Sequence, residues 1–252
     1  MKYYKIIILA AALSLFPIWS HAQQYTGMSG LIHVPSAEMN HEGDARIGAH
    51  FLNKNMVPDT GFIDIHGVKY NTYDYYLSLT PFNWLEISYT CTERKNEAEG
   101  PFVRKDRYAS IKIRPMQEGK YNPAVALGFN DVGTTAFKAS RPDVQLYFTN
   151  IYLAATKHLT FGGNELGMTL AYRKYFRGYN DKWSGLVGGL TFRPAFFPQA
   201  RAIAEYTGNE FLLGVDALLW RHLLVQASVK DFKYINFGIC FQMNLLGTRY
   251  KY

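Results

Sequence analysis

The stretch Tyr76-Leu-Ser-Leu-Thr-Pro-Phe-Asn-Trp-Leu-Glu-Ile-Ser-Tyr89 most narrows what this chain can fold into. Two alternating runs flank Pro81-Phe82-Asn83. Beyond that break Leu85, Ile87 and Tyr89 point one way, and Trp84, Glu86 and Ser88 the other. Period-2 alternation marks a strand with two unlike faces. Proline and asparagine between the runs supply a tight turn. The segment therefore reads as a hairpin with one apolar and one polar face, and the same unit recurs almost to the C-terminus. A chain of such hairpins has edges to hide, and closure into a barrel removes them.

Taken in order, the first strand is expected at Asp44 to Leu52, the second at about Tyr70 to Leu79 and the third at Trp84 to Arg94. Lys95 to Pro101 reads as a charged loop. The fourth strand, Arg107 to Arg114, sets Tyr108, Ser110, Lys112 and Arg114 against Ala109, Ile111 and Ile113. The fifth is Pro123 to Asn130, and Asp131 to Asp143 reads as a long polar loop. Seven more follow at Leu146 to Lys157, Leu166 to Phe176, Gly185 to Arg193, Ala200 to Tyr206, Glu210 to Leu219, His222 to Lys230 and Tyr234 to Leu245. The expected fold is all-β, an antiparallel up-and-down transmembrane barrel of about twelve strands. Runs of about ten residues suit a tilted span, and an even count suits a bacterial outer-membrane barrel. Nineteen Tyr, 17 Phe and 21 Gly fit strands, aromatic girdles and tight turns better than helices.

Short turns near Pro81, Pro115, Gly162, Pro194 and Trp220 fall on one side, and the longer loops at Asn53, Lys95, Asp131 and Arg177 on the other. In this class short turns are periplasmic and long loops external. Trp84, Phe196, Phe197 and Trp220 then form a girdle at the periplasmic rim. In the last strand Ile235, Phe237, Ile239, Phe241 and Met243 make one apolar face, with Asn236 and Gly238 between them. That spacing resembles the C-terminal signal read by the outer-membrane assembly machinery, displaced several residues from the end. The bland alternative is a soluble β-sandwich, whose strands also alternate but bury their apolar face between two sheets.

Three units are expected: a signal peptide at 1–22, a lead-in segment at 23–42 and the barrel at 43–252. Lys2 and Lys5, the apolar run Ile6 to Leu15 and the small-residue site Ser20-His21-Ala22 form the signal, cut after Ala22. No cysteine follows the apolar run, so no lipoprotein anchor is indicated. Cutting there leaves 25 basic and 20 acidic residues, a mild excess suited to anionic glycan or lipid headgroups. Nucleic acid is a poor partner, since the basic residues do not cluster and the chain is exported. Cys91 and Cys240 are far apart and read as unpaired.

Several segments resemble the YjbH family. They are Gly30-Leu-Ile-His-Val-Pro-Ser-Ala37 with Gly43-Asp-Ala-Arg46, then Leu79-Thr-Pro-Phe-Asn-Trp-Leu-Glu86, Ala126-Leu-Gly-Phe-Asn-Asp-Val-Gly-Thr134 and, more faintly, Ala204-Glu-Tyr206. The likeness runs in order from about Gly30 to Leu245. It implies an outer-membrane barrel tied to exopolysaccharide or capsule production and export, without an established catalytic mechanism. The longer members carry more than one barrel region, and this chain resembles a short, single-barrel form.

Asn130, Asp131 and Thr134 are candidate glycan contacts, although Asn and Asp also cap turns and Gly133 permits a positive φ. Glu86, Lys112, Arg114 and Glu205 are expected in the lumen, lining a polar path or pairing to fill a narrow barrel. Pro35-Ser36 either enters the periplasmic mouth or leads into the first strand. His33, His158 and His222, with Ser110, Ser184 and Ser228, are candidates for hydrolase chemistry. No G-x-S-x-G elbow, H-E-x-x-H or C-x-x-C motif accompanies them, so neither an enzyme, a cofactor nor a metal is expected. Expected partners are outer-membrane lipid, the assembly machinery, and polysaccharide with other envelope export proteins. The rivals are a porin-like channel for small solutes and a lipid or glycan hydrolase.

Overall fold

A computed structural model describes residues 22–59, 62–63, 66–96, 100–134, 146–176 and 178–247. The signal peptide expected at 1–22 thus lies outside the described residues but for Ala22. Among the described residues twelve strands form one closed sheet. They are β1 (Asp44–Leu52), β2 (Thr72–Phe82), β3 (Leu85–Asn96), β4 (Gly100–Met116), β5 (Ala124–Thr134) and β6 (Asn150–Phe161). The others are β7 (Asn164–Tyr175), β8 (Gly185–Arg193), β9 (Ala200–Tyr206), β10 (Phe211–Leu219), β11 (Leu223–Lys230) and β12 (Tyr234–Asn244). Each pairs with its sequence neighbours, and β12 closes on β1 from Asp44↔Asn244 to Phe51↔Phe237. The result is an antiparallel up-and-down barrel, and the sandwich alternative is excluded because the twelve strands close on themselves in one sheet whose apolar face is exposed.

Alternation sets the two surfaces. On β12, Asn236, Gly238, Cys240 and Gln242 face inward, while Ile235, Phe237, Ile239, Phe241 and Met243 face out. Ile47, Leu77, Ile87, Leu153, Leu170, Leu186, Leu190 and Val215 continue the outer belt, all of them exposed. An unbroken apolar belt of this size is far beyond what water tolerates on a monomer. It suits hydrocarbon as the surrounding medium.

Two local departures from the sequence reading have physical causes. The hairpin turn is Asn83-Trp84 rather than Pro81-Phe82-Asn83, because β2 runs on to Phe82. Pro81, lacking an N–H, sits where the register shifts between Leu79 and Phe82, the place a strand tolerates it. Trp84 accordingly does not face the lumen with Glu86 and Ser88. It is exposed in the turn and stacks on Phe82 at 5.5 Å. Asp131 to Thr134 belong to β5 instead of a loop. The register there slips from Ala109↔Gly133 to Ile111↔Phe129, and Asp131 adopts φ 55°. The bulge turns both Asn130 and Asp131 inward, which plain alternation forbids. Likewise β4 begins at Gly100, inside the stretch read as a charged loop, and β6 begins at Asn150 rather than Leu146.

The connections at 83–84, 117–123, 162–163, 194–199 and 220–222 share one mouth, and β1, β3, β5, β7, β9 and β11 all end at the other. Trp84, Phe196, Phe197 and Trp220 are all exposed at the short-turn mouth. A charge placed in mid-belt tests which medium the belt meets. Leu170→Lys is expected to lower unfolding free energy in lipid vesicles by about 2–4 kcal/mol, read from urea titrations.

Candidate functional site

The lumen is occupied by the chain's own N-terminal segment. Every residue from Ala22 to Asn40 is buried. The segment makes little secondary structure of its own: two isolated bridges, Gln23↔Ser29 and Gly30↔Pro35. Its backbone groups must therefore find partners on the barrel wall, because an unpaired buried peptide group is costly. Thr26 O accepts from Ser88 Oγ at 3.0 Å and Thr90 Oγ1 at 2.8 Å. Ala37 N donates to Thr156 Oγ1 at 3.0 Å. His33 O accepts from Arg173 Nη1 at 2.8 Å.

Two carboxylates anchor the segment's backbone. Glu205 on β9 accepts the successive N–H groups of Ile32, His33 and Val34 at 3.1, 2.7 and 3.1 Å. Three convergent backbone donors make a natural anion cradle, here filled by the wall's own carboxylate. Glu86 on β3 accepts from Ser29 N at 2.8 Å and pairs with Lys112 on β4 at 2.9 Å, both side chains fully buried. Lys112 also donates to Ser29 O at 2.8 Å and Glu38 O at 2.7 Å. The ion pair thus grips the segment as well as itself.

Shape reinforces the polar grip. Leu31, Ile32 and Val34 lie in an apolar cluster with Tyr108, Phe148, Tyr152, Val187, Ile203 and Leu212. Gly189 on β8 and Gly214 on β10 face inward opposite Leu31 and Ile32, whose side chains occupy the space a Cβ would need. His33 sits between the rings of Tyr25 and Trp183, each at 5.1 Å.

The residues singled out from sequence are distributed as follows. Glu86, Lys112 and Glu205 are buried in the lumen and hold the N-terminal segment, with Glu86 and Lys112 paired and Glu205 apart from them. Arg114 is half-buried at the short-turn mouth and donates to Asn83 O at 2.7 Å. Asn130 and Asp131 lie at the long-loop end. Asn130 donates to Asn150 Oδ1 at 3.3 Å, and Asp131 Oδ2 accepts from Phe148 N at 3.2 Å and Thr149 Oγ1 at 3.1 Å. The side chain of Thr134 lies outside the described residues.

The candidate nucleophiles and bases are engaged elsewhere. Ser110 Oγ accepts from Asp131 N, Ser184 Oγ from Tyr175 N, and Ser228 Oγ from Asn236 Nδ2. His158 bridges Glu38 and Glu118, and His222 Nδ1 meets Gln242 O. Cys91 faces outward and Cys240 inward, so the two thiols are on opposite sides of the wall and free.

Sequence reasoning missed Arg173, Arg201, Thr156 and Glu38 as parts of this network. Arg173 and Thr156 fall on the polar side of their strands, but only the buried segment gives them a purpose. Breaking the central pair is the sharpest test of the grip. Lys112→Met strands the Glu86 carboxylate and is expected to cost about 3–5 kcal/mol in urea unfolding. The double variant Glu86→Leu with Lys112→Met is expected to recover part of that loss.

Residues 22–171 match the family model described as YjbH, exopolysaccharide biosynthesis protein YbjH. That stretch holds the N-terminal segment and runs into β7, short of the Leu245 limit read from the residues. No curated protein matches the sequence. Among solved structures the chain is similar to outer membrane phospholipase A from Escherichia coli, at 13% identity, 81% of this chain, 96% of that chain and TM-score 0.37. It is also similar to the Salmonella typhi outer membrane phospholipase dimer with bound calcium, at 13% identity, 82% and 91% coverage and TM-score 0.36. A mutant of the Rh. blastica porin gives 9% identity, 81% and 75% coverage and TM-score 0.29.

Proposed function

This chain belongs to the YjbH family of exopolysaccharide biosynthesis proteins, and from that premise we propose an outer-membrane barrel that assists production or export of an exopolysaccharide or capsule as a structural or binding component. The observation that carries the reading is the filled lumen. A barrel whose interior is occupied from Ala22 to Asn40 offers surfaces and mouths rather than a bore for a polymer. Its partners would be outer-membrane lipid around the belt, polysaccharide and other export proteins at the mouths, and the assembly machinery that reads β12.

Export follows the signal at residues 1–22, and the long loops face the cell exterior by analogy with barrels of this class. Cleavage after Ala22 would leave Gln23 in the lumen, where its N–H meets Gln226 Oε1 at 3.2 Å. Glycan contacts at Asn130, Asp131 and Thr134 belong to this reading as a site at the external mouth. A non-catalytic role is supported by where the candidate groups bond: Ser110 accepts from Asp131 N, Ser184 from Tyr175 N, and His158 bridges Glu38 and Glu118.

Deleting the gene and measuring surface polysaccharide tests the role directly: the polymer is expected to fall, and unchanged polymer would sink it. The porin alternative makes an opposite forecast in planar bilayers. The whole protein is expected to be electrically silent, whereas a variant lacking residues 24–40 is expected to conduct.

A further inference from the structure

One part of the outer belt is a groove. It runs over β2 to β5, edged by Leu77, Leu79, Ile87, Tyr89, Ile111 and Val132, and holds about 490 Å³. The cross-strand row Leu77, Tyr89, Ala109 and Gly133 passes through it. Two small residues in that row leave room beside the Tyr89 ring. The register slip between Ala109↔Gly133 and Ile111↔Phe129 falls at the same place. Ser78, Ser88 and Ser110 are buried on the lumen side of these strands, so the surface offered to the outside is apolar.

The groove ends in charge towards the long-loop mouth. One step along β4 from Ala109, on the same face, comes Arg107, and one step further Lys105. Both are exposed. Same-face neighbours on a strand are about 7 Å apart, within an arginine's reach. Lys105 meets Glu93 on β3 at 3.0 Å. Arg107 stands opposite Cys91, and among the described residues it has no ion-pair partner. Asp106 between them is buried on the lumen side. Arg107 and Lys105 against Glu93 leave this face one positive charge in excess.

Height puts that charge at a headgroup. From Arg107 to Met116, the short-turn end of β4, is nine residues. At about 3.3 Å per residue and a tilt of about 40° this is about 23 Å, close to the apolar band of such barrels. Tyr75 and Tyr89, both exposed, lie at the same end, where amphipathic rings settle at an interface. A cation at this level meets lipid phosphates, and the groove beside it meets their chains.

We propose that the groove is a binding site for one lipid with an anionic phosphate headgroup. An acyl chain lies along Leu77, Ile87 and Ala109, and the phosphate sits on Arg107. A guanidinium takes phosphate oxygens in pairs, with more directional hold than a point charge. A zwitterionic headgroup brings its own cation to the phosphate and gains less. The inference rests on the belt meeting lipid and goes beyond the export role. In the orientation proposed above the leaflet is the external one.

The test uses the full-length protein in a polyoxyethylene detergent and native mass spectrometry. The probes are dioleoylphosphatidylglycerol and dioleoylphosphatidylcholine at equal concentration, so the chains match and only the headgroup differs. Wild type is expected to retain the glycerol lipid about tenfold more, the worth of one charge-assisted contact. Arg107→Gln is expected to bring the two lipids to parity. Lys54→Gln removes an exposed positive charge elsewhere at the same mouth and is expected to keep the preference. Ala109→Phe fills the groove and is expected to lower retention of both. Circular dichroism of each variant confirms the fold.

No preference in wild type, or an unchanged one in Arg107→Gln, overturns the site. Equal losses in Arg107→Gln and Lys54→Gln overturn it too, since net charge would then be the cause. Unchanged retention in Ala109→Phe removes the groove. The Leu170→Lys titration separates this from the belt itself. A destabilised variant with no headgroup preference removes the site alone, whereas an unaffected one removes the belt reading and the site with it.

Discussion

The chain's own N-terminal segment fills the lumen of this barrel, so the wall's inward polar groups and the segment's backbone groups are buried against one another. Buried polar groups are costly when unpaired, and pairing wall with segment organises much of the rest of the structure. The wall brings Glu86, Lys112, Thr156, Arg173, Arg201 and Glu205 to a buried centre. The N-terminal segment brings backbone N–H and C=O groups that no strand ladder has used. Each set answers the need of the other. The three amides at Ile32, His33 and Val34 converging on Glu205 are the clearest case.

Charge burial of this kind stabilises little by itself, since desolvation offsets much of the attraction. What it supplies is a defined position for a segment that has almost no secondary structure. The apolar contacts of Leu31 and Ile32 with Gly189 and Gly214 add a shape constraint at the same level of the barrel. Polar anchors and small-residue notches together leave the plug one way to lie. A cavity then remains at the short-turn mouth after the plug is seated, bounded by Glu38 and Met39 from the plug itself.

Much of this was legible in the residues and part was not. Alternation located the strands closely, with β1, β8 and β9 read at their observed limits. Those runs are bounded by turn residues and carry no bulge. Misplaced ends fell where the period breaks: at Pro81, at the Asp131 bulge, and where β3 and β4 extend beyond Arg94 and before Arg107. The lumen residues could be listed because they share a face with known inward neighbours. Their partners could not, because Glu205 and Ile32 are 173 residues apart and no spacing records such contacts. Gly30 to Ala37 stood out as a family-like motif, yet its lack of period gave no hint that it would fill the barrel. Glu38, one residue beyond the motif, went unremarked for the same reason.

Hydrogen exchange on the intact protein in micelles, followed by mass spectrometry over peptides spanning 23–40, reads the plug's position most directly. The Glu205-bound amides of Ile32, His33 and Val34 are predicted to exchange as slowly as those in the barrel strands. Exchange at the rate of an unstructured chain would contradict the account.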